Sequence, residues 1–117
     1  MALRLVWAQT RGNLAVQLAF EAQPMTFQAE GEQMSTRFVL IISQLDARGR
    51  ATVKRERIRM RVPRDRVGDL FASAVPVSRE VSLLKTTRRL RIAVVSPDSG
   101  AYGTVTAPVE AVRTRTR

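Results

Sequence analysis

Two segments near the C-terminus, on either side of a turn-forming stretch, most constrain what the chain can fold into. Their apolar residues fall at every second position: Leu90, Ile92, Val94, Val105, Ala107, Val109 and Ala111. This spacing gives an extended strand one apolar face. Between them, residues 96–100 (SPDSG) combine a proline that fixes φ, an aspartate that bonds nearby backbone, and a glycine that tolerates positive φ. The pattern predicts a β-hairpin.

The rest of the chain repeats this alternation. The predicted strands are residues 3–8, 14–20, 36–45, 50–62 and 77–83. For residues 14–20 a helix is the alternative, because the segment is rich in Ala, Leu and Gln. Residues 38–42 are apolar at every position, which is typical of a central strand covered on both sides. The number and spacing of strands predict an all-β antiparallel sandwich or barrel of about six to eight strands.

The connections between strands are less regular. Residues 24–34 are predicted as a loop with a brief strand at 25–27, and residues 64–73 as irregular or a single helical turn. A turn at residues 46–49 (DARG) places Gly49 in the left-handed region. In the strand that follows, Val53 has the opposite parity to Ile58, Met60 and Val62. A β-bulge near residues 54–56 is therefore predicted.

Composition limits the chemistry. The 117 residues fit one domain, predicted over residues 1–112, with 113–117 as a frayed basic tail. The chain has neither Cys nor His, so disulfides, thiolate metal sites and histidine bases are excluded. Its ten acidic residues form no catalytic motif, and we expect a non-enzymatic protein without a cofactor. No apolar run is long enough to cross a membrane, and we expect residues 1–20 to be mature sequence and not a signal peptide.

The net charge is +10, and all but two of the 20 basic residues are arginine. The densest cluster comprises Lys54, Arg55, Arg57, Arg59, Arg61, Arg64 and Arg66. One hypothesis is a surface that follows the phosphates of a nucleic acid. The other is a solvated sheet face whose arginine stems cover apolar surface and discourage edge pairing. We favour the second, because exposed rings for base stacking are scarce.

Two residues of the hairpin are candidates for contact at a loop tip. Asp98 lies in the turn stretch, and Tyr102 stands between Gly100 and Gly103. Asp98 is expected to contribute turn chemistry. For Tyr102 we favour a ring that folds back over the end of the sandwich.

The hairpin also resembles a known family. The sequence LRIAVVSPDSGAYGTVTAPVEA is similar to the end of bacterial von Willebrand factor A-related proteins of the kind common in Acidobacteria. Leu90–Val94 match a Leu-Arg-Val-Ala-Val strand of that family, and Ser99, Gly100 and Gly103 match its turn. Val105, Pro108 and Val109 fall where its closing strand lies. Upstream, Asp46 and Gly49 match an Asp-x-x-Gly turn.

The resemblance implies an immunoglobulin-like or fibronectin-like β-sandwich. Such a module is an accessory part of a larger extracytoplasmic protein, where it binds other proteins or acts as a spacer. The metal-binding A domain of the family is absent from this sequence, so no metal site is implied. The alternative is nucleic acid binding: the chain would be a small basic β protein that binds nucleic acid through residues 54–66. The sequence specifies neither the partner nor the oligomeric state.

Overall fold

The computed structural model describes residues 3–10, 13–21, 25–72 and 74–109, with side chains described except at 7–10 and 71. These residues form two antiparallel sheets, of three and five strands, whose inner faces share one apolar core. The eight described strands confirm the predicted all-β antiparallel sandwich. Residues 113–117, predicted as a tail, lie outside the described residues.

The three-stranded sheet has the order β1–β2–β6. Its strands are β1 (Leu3–Thr10), β2 (Asn13–Glu21) and β6 (Ala74–Ser82). In β2 the four residues of the predicted apolar face, Leu14, Val16, Leu18 and Phe20, are all buried. The strand interpretation of this segment is therefore confirmed, and the helical alternative is wrong. Burial of every second side chain outweighs the modest helix propensity of Ala, Leu and Gln.

The five-stranded sheet is built around its longest central strand. Its strands are β3 (Gln28–Glu30), β4 (Gln33–Leu45), β5 (Ala51–Pro63), β7 (Arg89–Val95) and β8 (Tyr102–Pro108). Along one side β4 pairs with β5 over its whole length. Along the other it pairs with β3 near its start and with β7 near its end, and β8 pairs with β7. Hence β5 and β8 are the outermost described strands of this sheet.

The core joins the two sheets through aromatic and aliphatic side chains. Phe20 on β2 meets Phe38 on β4 edge to face, with ring centroids 5.0 Å apart, a preferred geometry for aromatic pairs. Leu90, Ile92 and Val94 of the C-terminal hairpin are completely buried beside them. Across the hairpin, Ala107 and Val109 are buried and Val105 is half-buried. The parity predicted for this hairpin is confirmed as far as Val109, and Ala111 lies outside the described residues.

Three local predictions are corrected. The ladder between β4 and β5 runs from Gln33↔Pro63 to Leu45↔Ala51 without interruption, so the predicted bulge is wrong and Val53 is exposed. The brief strand is β3, three residues later than predicted, and it turns into β4 through Gly31 at φ 61°. Residues 38–42 are buried on the core side only, because Val39 and Ile41 are half-buried on the opposite face.

The segment between β5 and β6 is helical. A 3-10 helix, Arg64–Arg66, leads directly into α1 (Val67–Ala72). The prediction of a helical turn is confirmed there. Gly49 has φ 81°, as the predicted turn requires. Among the described residues, no helix has the length and apolar character needed to cross a membrane.

Candidate functional site

The outer face of β5 carries a row of four arginines. Alternation along the strand puts Arg55, Arg57, Arg59 and Arg61 on the side that faces away from the core, and all four are exposed. Successive members are about 7 Å apart by strand geometry. We call these four residues the arginine row. Their positions confirm the shared face that the sequence predicts for Arg57, Arg59 and Arg61.

The other three basic residues of the predicted cluster lie elsewhere. Lys54 belongs to the opposite face of β5, since its parity is that of Glu56 and Ile58. Arg64 and Arg66 lie on the 3-10 helix beyond the strand, and Arg66 faces Asp69 at 3.9 Å. The structure therefore brings four of the seven residues into one row.

Glu30 on β3 neutralises one end of the row. Its carboxylate accepts hydrogen bonds from Arg59 and from the Ser35 hydroxyl, and its Oε2 lies 3.3 Å from Arg61 Nε. The Ser35 hydrogen bond has the largest effect on the pKa of Glu30 and, with the charges of Arg59 and Arg61, holds it below its ordinary value against the opposing effect of desolvation. Arg55 and Arg57 form no ion pair within the described part of the chain. The positive charge is therefore least compensated at these two residues.

A second arginine ties the turn of the C-terminal hairpin to the same face. Arg37 on β4 donates from Nε and Nη2 to the Asp98 carboxylate, at 2.7–3.1 Å. This hydrogen bonding lowers the pKa of Asp98. Asp98, a predicted loop-tip contact, thus already has a partner within the chain.

Tyr102 stands on the outer face of the sheet. Its side chain is 64% exposed, so the expectation that the ring folds back over the sandwich is wrong. The ladder aligns Tyr102 with Val95, Val39 and Arg57 on four adjacent strands. That places it roughly 14 Å from the arginine row.

On the inner side of β5 an ion pair joins the two sheets. Arg79 on β6 donates from Nε and Nη2 to both oxygens of Glu56, at 2.7 and 2.9 Å. The hydrogen bond from Arg79, and then the charges of Arg79 and Lys54, lower the pKa of Glu56 against its partial burial. Residue patterns along the chain do not predict this pair. Its one available signal was the charge of Glu56 at an inward position of a strand.

This ion pair crosses a cleft that opens between β5 and β6. On one side of the pair the cleft encloses about 270 Å³ and reaches Leu40, Ile42 and Val81. On the other side it opens into a shallow depression of about 430 Å³. Apolar residues of both sheets line it together with polar ones: Phe38, Ile58, Met60, Val75, Pro76 and Val77, and Arg59, Arg61, Ser78 and Arg79. Ile58 and Met60 are only half-buried there. The cleft therefore exposes an apolar strip directly beneath the edge of β5.

The second edge of β5 pairs with no strand in the described part of the chain. In an antiparallel ladder every second residue directs its N–H and C=O away from its partner strand, so this edge presents a series of backbone donors and acceptors. The other outer strands are less open. β6 contains Pro76, β8 ends in Pro108, and β1 packs near β8. The only proline of β5 is its last residue, Pro63.

The carboxylates of this region are kept ionised. Glu30, Glu56 and Asp98 each have a pKa lowered by hydrogen bonding, whereas a general acid near neutral pH needs a raised one. No group of three or more His, Cys, Asp or Glu residues that could hold a metal occurs among the described residues.

Comparisons with family models, with curated proteins and with solved structures give no match in any of the three.

Proposed function

We propose that this protein is a non-enzymatic, immunoglobulin-like accessory module that binds another protein through β5. The observation that carries the proposal is the outer position of β5. This 13-residue strand has the arginine row on one face, an open cleft with the half-buried Ile58 and Met60 beneath the other, and no strand on its second edge within the described residues. An exposed strand edge gives main-chain hydrogen bonds to an extended segment of a partner.

The resemblance to the C-terminal module of von Willebrand factor A-related proteins supports the same function. In that family the β-rich module accompanies other parts of a larger extracytoplasmic protein. A sandwich whose carboxylates are held ionised by hydrogen bonds from arginine and serine is consistent with a binding role. The strand edge then supplies the contact surface that a spacer alone does not need.

A second candidate function is nucleic acid binding. The observation in its favour is the uncompensated charge of Arg55 and Arg57, since phosphate contacts by arginine dominate the affinity of such proteins. Against it stands the distance of Tyr102 from the row, because single-strand binders combine a basic groove with rings on which bases stack. We therefore rank it below protein binding.

The two functions are separated by titration of the ¹⁵N-labelled protein with an acidic peptide and with single-stranded oligothymidylate, followed by NMR. Protein binding predicts that the peptide shifts the β5 amides at moderate salt while the oligonucleotide does not.

The two other outcomes are also informative. Nucleic acid binding predicts that log K for the oligonucleotide falls with log salt, with a slope that becomes about 0.7 less negative in Arg57→Gln. If neither ligand shifts the β5 amides at low salt, the proposed function is wrong.

A further inference from the structure

We propose that β5 accepts, as an added antiparallel strand, a peptide segment in which acidic residues alternate with apolar residues. This inference rests on the proposed function and specifies the chemistry of the partner. It follows from the two faces of β5 and from the edge between them.

The outer face sets the acidic positions. A strand added to β5 places every second side chain directly opposite a member of the arginine row. Opposite charges at such cross-strand positions are favourable, and like charges are unfavourable. Arg55 and Arg57 have no ion pair within the described residues, so acidic residues opposite these two gain most. Arg59 and Arg61 already share Glu30 and contribute less.

The inner face sets the apolar positions. The alternate side chains of the added strand lie over the mouth of the cleft, next to Ile58 and Met60, which are half-buried. Small apolar residues there cover the strip that the chain leaves open. Opposite Glu56 the cleft is crossed by the ion pair to Arg79, and a small polar residue fits that position. Over residues 55–61 the matching antiparallel peptide reads Glu-Val-Glu-Val-Glu-Ser-Glu.

Charge excludes two other occupants of this edge. A second copy of the chain, paired through its own β5, would align eight arginines on one surface. The C-terminal residues 110–117 contain three arginines and one glutamate, so they too are repelled. The arginine row thus discourages self-association, which exposed edges otherwise invite, and selects an acidic strand.

The test is fluorescence anisotropy of labelled peptides that carry this heptad within neutral flanks. We expect saturable binding of the alternating peptide. A peptide of the same composition with its two valines adjacent should bind at least fivefold more weakly, because one valine then faces the arginine row. Alternate backbone nitrogens of the peptide can be N-methylated in two sets. Methylation of the set whose N–H groups point toward β5 should abolish binding, because it removes the hydrogen bonds to the strand edge.

Protein variants locate the site. The double variant Arg55→Gln/Arg57→Gln should weaken binding about tenfold at low salt. Arg4→Gln is the control, since Arg4 is exposed on the other sheet and its loss should change affinity less than twofold. Sedimentation should give a monomer at the concentrations used.

Each other result has a definite meaning. If the alternating, rearranged and N-methylated peptides bind equally well, strand addition is overturned. The proposed function, protein binding, would then stand with charge alone as its basis. Absence of binding by every peptide would overturn both this inference and the proposed function. If the protein forms a dimer that Pro or Lys substitutions in β5 dissociate, the edge binds a second copy of the chain. If oligothymidylate displaces the peptide with higher affinity, the edge binds nucleic acid.

Discussion

At the scale of single residues, the Glu56–Arg79 pair connects the sheets at the side where the sandwich is most open. Both side chains keep more than a third of their accessible surface, at 42% and 36% respectively. Water therefore screens their attraction, and the pair resembles exposed ion pairs in energy. The pair links β5 to β6 across the cleft, where apolar contact is incomplete.

The pair predicts how Glu56→Gln changes stability with pH. Because the folded-state pKa of Glu56 is lowered from 4.5, its contribution is present above that value and is lost as the pH falls through the lowered pKa. We expect Glu56→Gln to reduce the free energy of unfolding by about 0.5 kcal/mol near pH 7. Urea denaturation measures it.

At low pH, below the lowered pKa of Glu56, the loss caused by Glu56→Gln should shrink toward zero, since the carboxyl is then protonated in both states. The control is Glu80→Gln on the same strand as Arg79, because Glu80 is exposed and forms no ion pair in the described part of the chain. An equal loss at both pH values would contradict the electrostatic role of Glu56.

At the scale of elements, the turn between β4 and β5 fixes the register of the candidate binding strand. Asp46 accepts backbone hydrogen bonds from Arg48 and Arg50 through Oδ1, each at 2.9 Å, and Gly49 adopts φ 81°. Only glycine takes such a φ without strain. The turn therefore sets which face of β5 receives the arginines.

Two glycine substitutions should have opposite effects. A Cβ at either Gly49 or Gly68 meets no atom within 4 Å, but only Gly49 has positive φ. Gly49→Ala should cost about 1 kcal/mol through backbone strain. Gly68→Ala, in α1, should stabilise the fold by roughly 0.5 kcal/mol, because alanine has less conformational freedom in the unfolded chain. Thermal or urea unfolding measures both, and the same sign for the two would refute this account.

How far the sequence predicts these elements depends on what each prediction requires. Side-chain parity alone identifies the buried faces of β2 and β7, such as Leu14 and Leu90, because alternation is a local property. The position of β5 at the edge of its sheet is not local, since it depends on β7 pairing with the opposite side of β4. The predicted bulge assumed that Val53 must be buried. On an outer strand such as β5, the Val53 side chain can be exposed.

At the scale of the whole molecule, the charge is distributed unevenly between the faces. The described ion pairs neutralise Arg37, Arg59, Arg61, Arg66 and Arg79. Within the arginine row they leave Arg55 and Arg57 without an ion pair, in a chain of net charge +10. Self-repulsion of this kind opposes the compact state and weakens as salt screens it. The sandwich thus retains repulsion at the surface where we propose that an acidic strand binds.

The thermal midpoint should therefore rise with salt. The Debye screening length shortens from about 30 Å at 0.01 M salt to about 10 Å at 0.1 M salt. At both concentrations it is longer than the spacing between arginines in the arginine row. Arg57→Gln should raise stability by a few tenths of a kcal/mol at low salt, because it removes a repulsive charge without breaking an ion pair. Above about 0.3 M NaCl this gain should disappear. Calorimetry across the salt series measures both trends.

Arg79→Gln is the matched control, since it should lose stability at low salt as Glu56 loses its partner. If Arg57→Gln also loses stability at low salt, Arg57 is held by an attractive contact and the arginine row is not the uncompensated surface that strand addition requires.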